Sequence, residues 1–254
     1  MKKSDHAWKH VRNSGGKYPP REGTGTEIIY GKNPVLEGLS SGRRTFYEIM
    51  TLSQHAEKMS REAGDVPVRI VAREDLDSMT GSLNHQGIAA RVSGYRYSSL
   101  NDMLDLTAVV LLDSVEDPQN LGSIVRVSYA LSGAGVIIPE HRSASVTPAV
   151  VKASSGATER LMIARVQNLR ETAKFLKKNG FWLIGLDASA GEDLSRIPKF
   201  EKVGLVMGGE DSGIRPVIEG ELDMVSRIPM KGDFNSLNVA QACSIALYEL
   251  TARK

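Results

Sequence analysis

The feature that most constrains the fold is an alternation. After residue 26, short apolar runs take turns with stretches patterned for helix. "EIIYG" reads as a strand. "NPVLEGLSSG" reads as a helix, with Asn33 as its cap, Pro34 in its first turn and Gly42 as its stop. "TFYEIMT" is a strand, "QHAEKMSREAG" a helix ending at Gly64, "VPVRIVA" a strand, "REDLDSMTG" a short helix and "GIAARVSGY" a strand. The pattern pauses in polar "RYSSLNDMLD" and then restarts. Strands are predicted over 108–113, 135–138, 181–187, 203–207 and 224–228. Helices are predicted over 120–132, over 147–154 with Thr147 as cap, over 169–178 with Asn168 as cap, and over 236–252 with Ser236 as cap. Crossover helices must lie on the faces of the sheet they connect, so the pattern calls for a mostly parallel sheet covered on both sides. The fold class is therefore α/β, with a smaller unit over 27–96, a linker over 97–104 and a larger unit over 105–254.

Composition narrows the setting. At 41% hydrophobic and 24% charged, the 254 residues match a globular chain of one large domain or two small ones. The net charge of +2 says little about partners, but its distribution is uneven. Residues 1–26 carry Lys2, Lys3, Lys9, Arg12, Lys17 and Arg21, together with Gly15-Gly16 and Pro19-Pro20. They read as a disordered basic arm, serving either as a solubilising tail or as an RNA contact. Cys243 is the one cysteine, which excludes an internal disulfide and a thiolate metal cluster. It falls in an apolar helical pattern, as a core residue does. The five histidines lack metal-ligand spacing, so no metal is expected. No 18-residue apolar run spans a membrane, no signal peptide opens the sequence, and a cytoplasmic location follows as the default.

Ligands of open parallel sheets gather beyond the carboxyl ends of the strands, and three loops there are unusual. In "LLDSVEDPQNLGSIVRVSYALSG" a strand passes into a helix through Asp117-Pro118-Gln119-Asn120, with a single Gly122 and then Arg126. In "VGLVMGGEDSGI" a strand runs into Gly208-Gly209-Glu210, where glycine lets backbone approach a ligand closely. In "RIPMKGDFNSLNVAQA" a strand ends at Ile228-Pro229-Met230, and Asn238 falls in the first turn of the last helix. Each loop alone has a plain structural explanation as a turn, a cap or a solvated arginine. Together they bring Asn120, Arg126, Glu210, Ser236 and Asn238 towards one end of one sheet. No G-x-G-x-x-G follows a strand, and there is no P-loop, H-E-x-x-H pair or G-x-S-x-G elbow.

These blocks, in this order, resemble the SpoU/TrmH family of RNA ribose 2′-O-methyltransferases in the SPOUT superfamily. "DPQNLGSIVR" looks like the family's first motif, "LVMGGEDSG" its second and "IPMKGDFNSLNVA" its third. "PEHRSASVTPAVVKASSGATE" is similar to members that methylate a guanosine ribose of 23S rRNA, and "IYGKNPVLEGL" with "NHQGIAA" to an L30e-like RNA-binding domain. The resemblance implies a trefoil-knotted parallel-sheet domain, S-adenosylmethionine as cofactor, RNA as substrate (rRNA ahead of tRNA) and a homodimer that completes the active site. It implies that the cofactor lies against Met207, Gly208, Gly209, Ile228, Met230 and Leu237, and that Asn120, Arg126, Glu210, Ser236 and Asn238 form the catalytic set. Arginine is often described as the base in this family, yet a guanidinium gives up its proton only above about pH 12. A charged Arg126 that grips phosphate and stabilises an emerging alkoxide is the better expectation. Two positions depart from the pattern. Ala240 stands where the family usually has serine, and Asp211 where the second motif commonly has glycine. A non-catalytic RNA-binding protein on this fold would be expected to lack Asn120, Arg126, Glu210 or Asn238, and all four are present.

Overall fold

The computed structural model describes residues 25–210, 212–231 and 236–252. The basic arm apart from its last two positions, Asp211, residues 232–235 and residues 253–254 therefore fall outside the described residues. The first unit is β1 (Thr26–Tyr30), α1 (Lys32–Ser41), β2 (Phe46–Thr51), α2 (Ser53–Glu62), β3 (Val68–Ile70), α3 (Arg73–Thr80) and β4 (Ile88–Ser93). Its sheet has the order β1-β4-β2-β3, antiparallel except for the β2–β3 pair. The cap of α1 is Gly31 at φ 99°, not Asn33, which lies inside the first turn. Glycine is needed there because the chain leaves β1 with a positive φ.

The second unit runs β5 (Ala108–Leu112), α4 (Pro118–Leu131), β6 (Gly135–Pro139), α5 (Pro148–Ala153), β7 (Ile163–Val166), α6 (Leu169–Lys178), β8 (Trp182–Leu186), β9 (Val203–Met207), α7 (Pro216–Glu219), β10 (Met224–Ser226) and α8 (Val239–Leu247). Its six strands are all parallel, in the order β10-β8-β9-β5-β6-β7. Period-two alternation divides each strand between two cores. On β5, Ala108, Val110 and Leu112 face the core shared with Leu121, Ile124 and Val125 of α4 and with Cys243 of α8. Val109 and Leu111 face the core shared with Leu169, Ala173 and Leu176 of α6. Burial on both faces explains why the run is continuously apolar. The strand β7 and the short helix α7 had no separate signal, being only four residues each. The last helix starts at Val239 with Asn238 as its cap, so Ser236 does not cap it, and its end passes into a π-helical turn over Tyr248–Ala252.

Segment 97–104 does not hang loose between the units. Leu100 and Met103 are fully buried beneath the second sheet, and the Tyr97 hydroxyl accepts from the Val146 amide at 2.9 Å. The two units also share one core, which holds Ile29, Val35 and Ile49 together with Val110 and Ile124. Arg44 crosses the junction almost without solvent contact, bonded to Glu159 at 3.1 Å and Glu27 at 2.6 Å.

Candidate active site

The site forms where the strand order reverses. From β5 the chain runs outward through β6 and β7, whereas β9 leads to the opposite edge, so the carboxyl ends of β5 and β9 flank a crevice. Helix α4 begins there, its first turn capped by Asp117, whose Oδ1 accepts from the Gln119 amide at 2.9 Å. The lone Gly122 is not a phosphate cradle. A Cβ on it would stand 2.4 Å from Ala153 Cβ, so the glycine lets α4 pack tightly on α5.

At the mouth, three side chains from distant parts of the chain close a triangle. Asn238 Oδ1 is committed to the amides of Ala240 and Gln241, which obliges its Nδ2 to face outward as a donor. That group donates to Asn120 Oδ1 at 2.8 Å and to Glu210 Oε1 at 2.7 Å. Asn120 Nδ2 donates in turn to the same Glu210 oxygen at 3.0 Å. The cap therefore dictates the orientation of both amides. Glu210 Oε1 accepts twice, and Oε2 has no hydrogen-bond partner among the described residues.

Two cavities meet at this triangle, sharing Gly209, Glu210 and Val239 as a wall. One, of about 260 Å³, is largely apolar. Met207, Gly208, Gly209, Ile228, Met230 and Leu237 all line it, and so does Ser236. Backbone closes its floor. A Cβ on Gly208 would lie 2.1 Å from the carbonyl carbon of Gly213, and Gly209 and Gly213 exchange a pair of backbone hydrogen bonds. Among the described residues, its one charged side chain besides Glu210 is Asp187, which sequence reasoning missed. The Ser189 hydroxyl and amide both bond to its Oδ1, at 2.6 and 2.7 Å, and hold this carboxyl below the usual range. A carboxylate just past a strand end was the available signal.

The other cavity, of about 420 Å³, is polar, with Asp117, Asn120, Arg142 and Arg215 around it. Ser114 and Arg142 line it with left-handed backbones, at φ 65° and 58°, a strain that side-chain-bearing residues rarely accept outside functional sites. Asp113, fully buried at the end of β5, anchors the loop after β9: its two oxygens take the Arg215 amide at 2.9 Å and the Arg215 guanidinium at 2.6 and 2.7 Å. This pair also escaped the sequence reading, because the partners are 102 residues apart.

Arg126 does not join the cluster. It is exposed, lines neither cavity and has no ion-pair partner among the described residues. Six residues along a helix separate it from Asn120 by about 9 Å of rise and about 120° of rotation, so both cannot face one mouth. Among the described residues no group of His, Cys, Asp and Glu could hold a metal ion, and no helix is long and apolar enough to cross a membrane.

Comparison with known proteins gives the family. Residues 107–248 match the SpoU rRNA Methylase family, and residues 28–98 match the domain described as RNA 2′-O ribose methyltransferase substrate binding. A Bacillus subtilis protein named as a TrmH family tRNA/rRNA methyltransferase is 34% identical over 90% of this chain and 96% of its own length. A Mycobacterium avium protein named as a tRNA/rRNA methyltransferase is 37% identical over 93% of this chain and 80% of its own. Among solved structures, an AdoMet-bound rRNA methyltransferase from Sinorhizobium meliloti superposes with a TM-score of 0.76 at 26% identity, covering 88% of this chain and 86% of the other. The SpoU methyltransferase AviRb from Streptomyces viridochromogenes superposes with a TM-score of 0.75 at 25% identity, covering 89% and 88%. The chain belongs to the SpoU methylase family of RNA methyltransferases.

Proposed function

We propose that the protein methylates the 2′-hydroxyl of a ribose in RNA, a guanosine of 23S rRNA, using S-adenosylmethionine, and that it acts in the cytoplasm. The observation that carries this reading is the shared wall: one apolar and one polar cavity that have Gly209, Glu210 and Val239 in common. A cofactor with an apolar methionine arm and a flat base suits the apolar side, where glycine backbone supports close hydrogen bonds and Met207, Ile228, Met230 and Leu237 exclude water. Asp187 stands there as a carboxylate for sugar hydroxyls or a cationic centre. When bound, S-adenosylmethionine supplies a methyl carbon made electrophilic by its sulfonium.

The chain's own residues prepare the ribose. Asn120 and Asn238 lock Glu210 through one oxygen, leaving Oε2 to accept a hydrogen bond from the hydroxyl that must lose its proton. On the polar side Arg142 is the cation offered to a phosphate, since Arg215 is committed to the buried Asp113. The exposure of Arg126 fits action across a dimer interface. Helices α4 and α8 pack together, and Tyr129, Ile245 and Tyr248 leave large apolar surface uncovered on them. A second copy docked there would receive Arg126 as a fixed cation that stabilises the developing alkoxide without itself losing a proton. The resemblance to rRNA-modifying members and the solved rRNA methyltransferase favour rRNA as the target. Mapping ribose methylation in rRNA and tRNA from cells with and without the gene tests the reading. Loss at one 23S guanosine is expected, loss in tRNA alone would move the target, and no loss in either would overturn it.

A further inference from the structure

A cleft of about 730 Å³ between the two units plays no part in the site described above, although Gln119 of the first motif, Asn84 and Gln86 of "NHQGIAA" and Lys152 line it. Its walls come from both. Arg73, Asn84 and Gln86 belong to the first, and Gln119 and Lys152 to the second. Among the described residues no aspartate or glutamate lines it, although acidic residues nearly equal basic ones in the chain as a whole. A wall of two cations and several amides, without a carboxylate, selects for an anion that also carries hydrogen-bonding edges.

The cleft is built rather than incidental. Gln86 holds a left-handed backbone at φ 56°, which costs a non-glycine residue energy and persists only where its surroundings impose it. They do so through the wholly buried His85 just before it. The Nδ1 of His85 accepts from the Gly87 amide at 2.9 Å, while its Nε2 is 2.8 Å from Asp77. The Gln86 side chain accepts from the Lys32 amide at 3.1 Å. Lys152 comes across from α5 to the same spot. A Cβ on Gly31 would lie 2.6 Å from the Lys152 ammonium and 3.2 Å from Gln86 Oε1, so bare glycine makes room for both groups. Lys152 has no ion-pair partner among the described residues, and partial burial pushes its ammonium below the usual lysine range, a penalty that a bound anion would relieve. Leu83, 73% exposed, offers an apolar platform at the rim.

The cleft also connects to the active site. Gln119 lines it, and the adjacent Asp117 and Asn120, in the same first turn of α4, line the polar cavity. We propose that the cleft holds the single-stranded RNA segment next to the modified nucleotide, with Lys152 and Arg73 neutralising its phosphates and Asn84, Gln86 and Gln119 contacting its bases and sugars. This rests on the RNA reading above and makes the junction between the units, rather than the first unit alone, the element that selects the substrate.

The test uses the full chain and a fluorescein-labelled oligouridylate of twelve nucleotides, followed by fluorescence anisotropy over a salt series. The double variant Lys152→Ala, Arg73→Ala is expected to bind at least about tenfold more weakly at low salt, with a salt slope shallower by about 1.4 for two lost phosphate contacts. Gln86→Gly relaxes the backbone while removing the amide, so weaker RNA binding at an unchanged thermal midpoint is expected, which a folding defect would not produce. Cofactor affinity, measured by calorimetry, should be unchanged in every variant. If the parent protein binds RNA and the variants match it in affinity and slope, the cleft proposal fails and the enzymatic reading stands. If the parent protein binds neither this probe nor purified ribosomal RNA, both fail.

Discussion

The amide nitrogen of Asn238 stands 2.8 Å from the side-chain oxygen of Asn120, joining the start of the last helix to the first turn of a helix 118 residues earlier. The same nitrogen holds Glu210, so one side chain both caps α8 and orients the candidate catalytic carboxylate. Fold stability and chemistry therefore meet at Asn238.

Asn238→Asp keeps the capping oxygen but replaces the donor with a second carboxylate oxygen facing Glu210. Two carboxylates that close cannot both ionise cheaply, and below neutrality they share a proton. Methyl transfer is expected to drop about a hundredfold at pH 8, the scale of a misplaced catalytic group, and to recover in part towards pH 6. Stability should change in the same direction, greater at low pH and lost as pH rises. Thermal melts and tritiated-methyl incorporation across this range check both.

Gly208→Ala puts a methyl group against the backbone of Gly213, which its paired bonds to Gly209 prevent from yielding. The loop has to shift, at a cost of about 1–3 kcal/mol. Calorimetric titration with S-adenosylmethionine is expected to show at least about tenfold weaker binding than in the parent, as a change that closes off a close backbone contact should. Unaltered affinity would place the cofactor elsewhere.

Arg126→Ala removes an exposed side chain and should leave stability within about 0.5 kcal/mol. Cofactor affinity should stay within a few-fold, while methyl transfer falls by about a hundredfold or more. Because Arg126 lies outside its own chain's mouth, mixing this variant with Asn120→Ala chains should restore part of the activity through hybrid dimers. Normal turnover by the single variant removes Arg126 from the mechanism.

Arg215→Ala strands the buried Asp113 carboxylate with only a backbone amide as partner. Breaking such a pair costs about 3 kcal/mol or more, and Arg215, about one-third exposed, places this case at the lower end. Urea unfolding measures the loss. Weaker cofactor binding should accompany it, since the pair ties the loop after β9 to β5.

Cys243 is fully buried on α8, and burial pushes its thiol up to about 12. A raised value in the folded chain means that the contribution to stability is intact below the unfolded thiol's ordinary value of 9.0 and is lost as pH climbs towards 12. Iodoacetamide at pH 8.5 should label the urea-unfolded chain rapidly and the folded chain only at its opening rate. Cys243→Ala should flatten the decline of stability between pH 9 and 12. Equal labelling rates in both states would show the thiol to be accessible.

How much could be read in advance follows from how far each signal reaches along the chain. Strand and helix periods, the αL stop at Gly42 and the cap at Asn168 are local, and they were legible. The caps at Gly31 and Asn238 were misplaced by two residues, because a backbone with positive φ caps α1 without a side-chain oxygen, and because residues 236–238 do not join the helix. Motif order identified the loops; Asn120, Glu210 and Ser236 line the two cavities, Asn238 bonds to two of their lining residues, and Arg126 lines neither.

By itself, then, the sequence determined most of the strands and the longer helices, that the larger sheet is parallel, and which three loops carry the unusual chemistry, since each of these depends on residues within a few positions of one another; the mostly antiparallel pairing of the smaller sheet was not legible in it. Only the tertiary structure decided which side chains meet. It joined Asn120 to Glu210 and Asn238 and paired Asp113 with Arg215. The spacing of Leu121, Ile124 and Val125 already sets Arg126 on another face of the helix, but which side chains meet at the mouth is decided by packing between elements far apart in the chain, which no local pattern encodes.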